Sequence, residues 1–218
     1  MTQPVPLLFW DVDTQVDFMH PAGKLFVPEA DTLRPNLARL TIAARRHEVP
    51  VVSSADDHLL TDAEISDQPD FSVTYPPHCM SGTPGAERIP ETRLTQPVDL
   101  GHEPVPEAEL AKRLAAKAPQ VLLKKHTVDV FTNPNTEAVL RYLDPQRIVV
   151  YGVALDICNR YAIEGLWQRG FHNLALVTDA TKPINAEYGQ QLLADWRARG
   201  IELLTTDEVL AQLPAAPA

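Results

Sequence analysis

The chain has 218 residues, 44% hydrophobic and 22% charged, proportions that exclude a disordered or fibrous chain and suffice for one packed core. Its 19 Lys and Arg stand against 29 Asp and Glu, a net charge of −10, so nucleic-acid phosphate and anionic lipid are repelled and a small-molecule partner is expected. Two cysteines, Cys79 and Cys158, are too few for a disulfide framework, and the N-terminus has no basic region or long apolar run, so a cytoplasmic location is expected, with no membrane partner.

The first apolar run, residues 7–12, reads as a buried strand and is followed by Asp11, Asp13 and Asp17. Residues 32–47 carry Leu33, Leu37, Leu40 and Ala44 at helical spacing, with Asp31 as the expected cap and Pro35 in the first turn. A second strand at 50–53 leads to Asp56, Asp57 and His58. Residues 56–91, rich in Pro, Asp and His, and residues 93–106, without a clear period, are expected to be long surface loops. Strand 121–123 is followed by Lys124 and Lys125, and helix 135–143 ends before Pro145.

A fourth strand, 148–151, runs into the turn Gly152-Val153-Ala154-Leu155-Asp156-Ile157-Cys158. Helix 157–169 follows, with Asp156 as its expected cap and Gly170 past its end. Strand 174–177, helix 186–199 before Gly200, and strand 201–204 complete the alternation, and the tail 214–218 is expected to fray. Strand alternating with helix predicts one domain over 1–218. Its expected fold is α/β, a three-layer α/β/α sandwich, Rossmann-like, around a doubly wound, mostly parallel sheet.

Ligands of such sheets bind beyond the carboxyl ends of the strands, which is where the reactive residues stand. Cys158 opens a helix, whose free N–H groups and dipole favour a thiolate, and a nearby lysine acts in the same direction, so a lowered thiol pKa is expected. The N–H groups of Ala154 and Cys158 are candidates for an oxyanion hole. Asp13 is a candidate proton acceptor and Lys125 a candidate electrostatic partner. A loop-capping aspartate, an exposed strand-end lysine and a packed cysteine are the alternative readings of the three taken singly, and it is their joint occurrence that points to chemistry.

Together these residues make the chain resemble the isochorismatase-like cysteine hydrolases, with greatest similarity to nicotinamidases. Asp13-Thr14-Gln15-Val16-Asp17-Phe18 matches the D-x-Q-x-D-F opening, Lys125 with Asp129 and Phe131 matches the lysine segment, and Gly152-Val153-Ala154 through Cys158 matches the nucleophile turn. The resemblance implies a catalytic triad of Asp13, Lys125 and Cys158, an oxyanion hole at Ala154 and Cys158, and a cis peptide at Val153–Ala154. Asp56-x-His58, then Tyr75-Pro76-Pro77-His78-Cys79 and Gly82-Thr83-Pro84-Gly85, resembles the metal segment of nicotinamidases.

Glu64 stands where many relatives have a third histidine, with Asp62 as a neighbouring substitute. The implied ligands are therefore Asp56, His58, Glu64 and His78, holding a divalent Zn, Mn or Fe ion. Solvated loop histidines are the alternative for His58 and His78, and Cys79 reads as packing beside a ligand. Phe18 and Tyr75 are expected as pocket walls, with plain core burial as the alternative.

These residues imply hydrolysis of nicotinamide or a related small carboxamide through a thioester. The alternatives are a carbamoyl-amide hydrolase, an isochorismatase acting on a vinyl ether, or a non-catalytic small-molecule binder. Self-association into a homo-oligomer is left open by the sequence.

Overall fold

The computed structural model describes residues 4–216. The elements in chain order are β1 (Leu8–Val12), α1 (Val16–Met19), α2 (Arg34–Arg46), β2 (Val51–Asp56), β3 (Val98–Leu100), α3 (Glu107–Arg113) and β4 (Gln120–Lys125). They continue with α4 (Thr136–Leu143), β5 (Ile148–Val153), α5 (Cys158–Gln168), β6 (Leu174–Lys182), α6 (Ala186–Ala198), β7 (Glu202–Leu204) and α7 (Thr206–Ala211). The seven strands form one sheet in the order β3-β4-β2-β1-β5-β6-β7, and every pairing in it is parallel.

Strand β1 sits at the centre and is buried on both faces. Leu8, Trp10 and Val12 enter the core shared with α3, α4, α5 and α6, and Phe9 enters the opposite core, shared with α2 and α7. That two-residue alternation in a strand buried throughout is what a sheet covered on both sides requires. Helices on both faces make the three layers. The winding runs outward from β1 through β2 in one direction and through β5 in the other, so the crevice between the two directions opens at the carboxyl end of β1.

Several elements depart from the sequence reading. Residues 93–106 are not wholly loop, since β3 adds a three-residue edge strand beside β4. Its middle residue, Asp99, is exposed, and so short a strand leaves no readable period. β6 extends five residues past the apolar run, to Lys182, because Thr181 and Lys182 pair with Gly152 and Val153 of β5 beyond a shift in register, despite being polar. Asp31 does not cap α2. It lies in a 3-10 turn, Ala30–Leu33, that leads into the helix. Helices α3 and α7 went unread, although α7 carries a full capping box of Thr205 and Glu208, a legible start signal. The expectations for the two ends fall in part on residues 1–3 and 217–218, outside the described residues.

Candidate active site

Four strand ends converge. β1 ends beside Ser54 of β2 and Gly152 of β5, so the next residue, Asp13, emerges between them, and Ser54 Oγ donates to Asp13 Oδ1 at 2.6 Å. Gly152 has φ 110°, and a Cβ there would collide with the backbone of Val12, so glycine lets β5 leave the sheet beside Asp13. In the β2–β4 register Asp56 lies opposite Lys125. The Val153–Ala154 peptide is cis, and the turn after it delivers Cys158 to the first position of α5.

Lys125 links the parts. Its Nζ is 2.9 Å from Asp13 Oδ2 and is ion-paired with Asp56 Oδ1, and it lies 3.8 Å from Cys158 Sγ. Burial opposes its charge, but Asp13, Asp56 and Cys158 outweigh burial and hold the ammonium well above its ordinary value. Asp56 answers in kind: burial pushes its carboxyl up, yet Lys125 and the two facing histidines carry it well below the carboxylate range. Lys125, 1% exposed, is thus held between two buried carboxyl groups.

The second constellation is a cluster of Asp56, His58 and His78, all buried. Asp56 Oδ2 lies 3.6 Å from His58 Nε2 and 3.5 Å from His78 Nε2. A tetrahedral ion with bonds of about 2.0–2.2 Å has ligand-to-ligand edges of roughly 3.3–3.6 Å, so Asp56 Oδ2 already stands at a coordinating separation from each histidine nitrogen. Both rings are oriented for the task. His78 Nδ1 is 2.8 Å from the Pro76 carbonyl and His58 Nδ1 is 3.2 Å from Asp62 Oδ2, so each Nδ1 donates a proton outward and each Nε2 is turned toward Asp56. His58 Nε2 is buried without a hydrogen-bond partner, which costs free energy unless a cation completes it. The donor set fits a divalent metal.

A narrow pocket joins the two constellations. Cys158, Ala154, Asp56 and His78 line it together with Phe18, Tyr75 and Glu64. Phe18 and Tyr75 flank the His78 ring at centroid separations of 5.4 and 6.1 Å. The N–H groups of Ala154 and Cys158 donate to no carbonyl among the described residues, as an oxyanion hole requires.

A family profile described as the isochorismatase domain matches residues 7–208. The chain belongs to the isochorismatase family. It is 29% identical over 196 residues to a nicotinamidase/pyrazinamidase of Mycobacterium tuberculosis, covering 88% of this chain and 95% of that protein. A pyrazinamidase of Pyrococcus horikoshii, solved in complex with zinc, superposes with a TM-score of 0.71 at 25% identity, covering 92% of this chain and 99% of that one. An N-carbamoylsarcosine amidase from Thermoplasma acidophilum shares the fold, with a TM-score of 0.70 at 23% identity over 93% of this chain and 98% of its own.

Three expectations for this isochorismatase-family site need correction. The Cys158 thiol is not acidified: burial dominates, Asp13 and Asp56 add to it, and the pull of Lys125 is too weak to offset them, so the pKa lies well above its ordinary value. Asp156 does not cap α5, whose N-cap is Ile157 without a side-chain bond. Its carboxylate instead accepts from the N–H groups of Ile184 and Asn185 at 2.8 and 2.7 Å, binding the loop before α6 to the nucleophile turn. Glu64 is not brought into the metal cluster. Its Oε2 accepts from the Val128 N–H at 3.0 Å, which holds it in the pocket wall, where burial and Asp56 raise its pKa.

Other residues that build this family site were unread. Gln15 brackets Asp56, accepting from its N–H at 2.7 Å and donating to its carbonyl at 2.8 Å. Asn159 braces the nucleophile turn by donating to the Gly152 carbonyl at 2.9 Å and to Thr181 Oγ1 at 2.7 Å. Asp17 accepts from the Cys79 N–H at 2.7 Å and so ties α1 to the loop that carries His78. Leu25, Val27, Val128, Ile157 and Ile184 complete the apolar wall. Gln15 and Asp17 lie inside the quoted opening motif, which was the available signal. The wall residues come from four separate segments and carry none.

Proposed function

We propose that the chain is a metal-containing cysteine amidohydrolase that hydrolyses nicotinamide or a related small carboxamide, with Asp13, Lys125 and Cys158 as its catalytic triad. The observation that carries this reading is the shared pocket: the Cys158 thiol lines one narrow, mostly apolar cavity with Asp56 and His78, two members of the cluster that His58 completes from behind the wall. Its relatives, a nicotinamidase/pyrazinamidase and a zinc-bound pyrazinamidase, support it.

A raised thiol pKa means that the resting enzyme holds a neutral thiol and needs a base at the moment of attack. Asp13, within hydrogen-bonding reach of Cys158, takes that proton as Sγ attacks the amide carbon. Lys125 steadies both Asp13 and the transient thiolate. The developing oxyanion rests on the N–H groups of Ala154 and Cys158. The tetrahedral intermediate collapses with cleavage of the C–N bond, Asp13 returns its proton to nitrogen, and ammonia leaves a thioester on Cys158. Asp13 then deprotonates a water that attacks the thioester, giving the carboxylic acid and the free thiol.

Asp56, His58 and His78 would hold the metal, which when bound supplies a Lewis-acid anchor for a heteroaromatic ring nitrogen. Phe18 and Tyr75 sandwich a flat substrate, and Glu64 faces it from the wall. This arrangement favours an amide on a nitrogen heterocycle over a carbamoyl amide or a vinyl ether, neither of which uses such an anchor.

The test is ammonia release from nicotinamide, pyrazinamide and a panel of aliphatic and carbamoyl amides, with zinc-loaded wild type beside Cys158→Ala. Preferential turnover of the heteroaromatic amides is expected. Fast turnover of another amide class, with nicotinamide at the Cys158→Ala background, would reassign the substrate.

A further inference from the structure

Resting on the metal reading just given, we propose that Asp62 is a positioning residue for the metal site. It fixes the His58 ring through Nδ1 and is itself held in place by His126. His58 and His78 face the same carboxylate oxygen, but their outer nitrogens are supported differently. His78 Nδ1 meets the neutral carbonyl of Pro76, two residues away and 2.8 Å distant. His58 Nδ1 meets a carboxylate, Asp62 Oδ2, at 3.2 Å. That oxygen also accepts from the Leu59 N–H at 2.9 Å and lies 2.8 Å from His126 Nδ1.

His126 follows Lys125 at the end of β4, so the chain His58, Asp62, His126 crosses from the metal loop to the strand that carries the triad lysine. It is stiffened from outside. The His126 ring stacks on His102 at 3.5 Å with an interplanar angle of 19°, and His102 Nε2 lies 3.3 Å from Asp57 Oδ2.

An anionic acceptor on the outer nitrogen locks the tautomer that presents Nε2 to the metal and makes that nitrogen a stronger donor. His58 needs the help more than His78. It is fully buried, and its Nε2 has no hydrogen-bond partner, so the bond to Asp62 is what fixes the orientation of the ring.

His58, Asp62 and His126 also satisfy the spacing of a second cation site. A contact of 2.8 Å between Asp62 and His126 is a hydrogen-bond length, shorter than the roughly 3.3 Å edge that a bound metal would impose. Hydrogen bonding from Nδ1 also leaves His58 free to use Nε2 at the first site. The geometry favours a relay of hydrogen bonds.

The experiment is zinc affinity by competition with a chromophoric chelator, for wild type, Asp62→Ala, Asp62→Asn and His126→Ala. The ligand-field spectrum of the cobalt(II)-loaded proteins and thermal unfolding of the metal-free proteins are recorded beside it. Asp62→Ala is expected to weaken zinc binding by about 10–100-fold. Asp62→Asn, which keeps an acceptor but not the charge, should weaken it less, and His126→Ala less again. The cobalt spectrum should shift in Asp62→Ala while metal-free unfolding stays near wild type.

If wild type binds zinc tightly and both Asp62 variants match it within about twofold, the positioning role is wrong and the metal reading stands. If wild type binds no zinc, the metal reading fails and takes this inference with it. A second zinc equivalent that disappears in His126→Ala would overturn the relay in favour of a second site.

Discussion

The two halves of the site are held by different means. Asp13, Asp56 and Lys125 stand at the ends of paired strands and Cys158 heads the helix after β5, so their relative positions follow from sheet register. His58 and His78 belong to residues 57–83, which contain no helix or strand longer than an isolated bridge. They are placed instead by side-chain bonds: Asp62 to His58, Asp17 to the Cys79 backbone, and Gln15 to Asp56. The proposed triad should therefore tolerate loss of the proposed metal, and the His58 and His78 half should be sensitive to single polar substitutions.

The largest expected effect comes from removing the nucleophile. Cys158→Ala should lower amide turnover by roughly 10⁴-fold or more, because residues acting as one unit fail together. Zinc content should be unchanged. A variant that retained even a tenth of the activity would remove Cys158 from the mechanism.

Next is the metal half alone. His58→Ala should strip most of the zinc, measured by elemental analysis of the purified protein, while alkylation of Cys158 keeps its wild-type rate within a few-fold. If the thiol changed its reactivity as strongly as the metal content, the two halves would not be separable.

Lys125→Met tests the charge that joins them. It leaves Asp13 and Asp56 as neighbouring buried carboxylates without a counter-ion, and should cost about 3–5 kcal/mol in urea unfolding. The pH dependence follows with a defined sign. Asp56 in the fold lies well below its ordinary value of 3.8, so its contribution is present above that pH and is lost as pH falls below it. Lys125 is raised above its ordinary 10.5, so its contribution persists up to and beyond that pH and disappears only as pH rises through the raised value. Wild type should thus lose stability on acidification below 3.8, whereas Lys125→Met should gain it as protonation relieves the unpaired carboxylates.

The smallest effect separates the two thiols. Burial raises both well above the ordinary value of 9.0, but Cys158 lines the pocket while Cys79 is wholly enclosed. Mass-spectrometric mapping should find Cys158 alkylated first, at a rate still rising above pH 9.0 because the thiolate fraction is still growing there. A rate already level in mild acid would mean that Lys125 outweighs burial after all.

Much of this arrangement was legible because it is local. Each strand except β3 begins within one residue of an apolar run, and the D-x-Q-x-D-F opening, Lys125 and the turn to Cys158 are short contiguous signals. Glu64 was placed among the ligands by its spacing from His58, but its carboxylate is drawn to the Val128 N–H across the pocket. Asp156 had the position of a helix cap, yet two N–H groups ahead of α6, remote in sequence, claim it.

The residues by themselves determined the alternation of strand and helix, the parallel sheet it requires, and which side chains stand at strand ends, since each depends on periodicity over a few positions. Tertiary structure decided how the side chains share their bonds: Lys125 between two carboxylates, Asp62 between two histidines, and Glu64 in the wall. It also reversed the expected acidity of Cys158. A helix start favours a thiolate from its own first turn, whereas the cost of burying that charge is imposed by every element packed around it, and here burial is the larger effect.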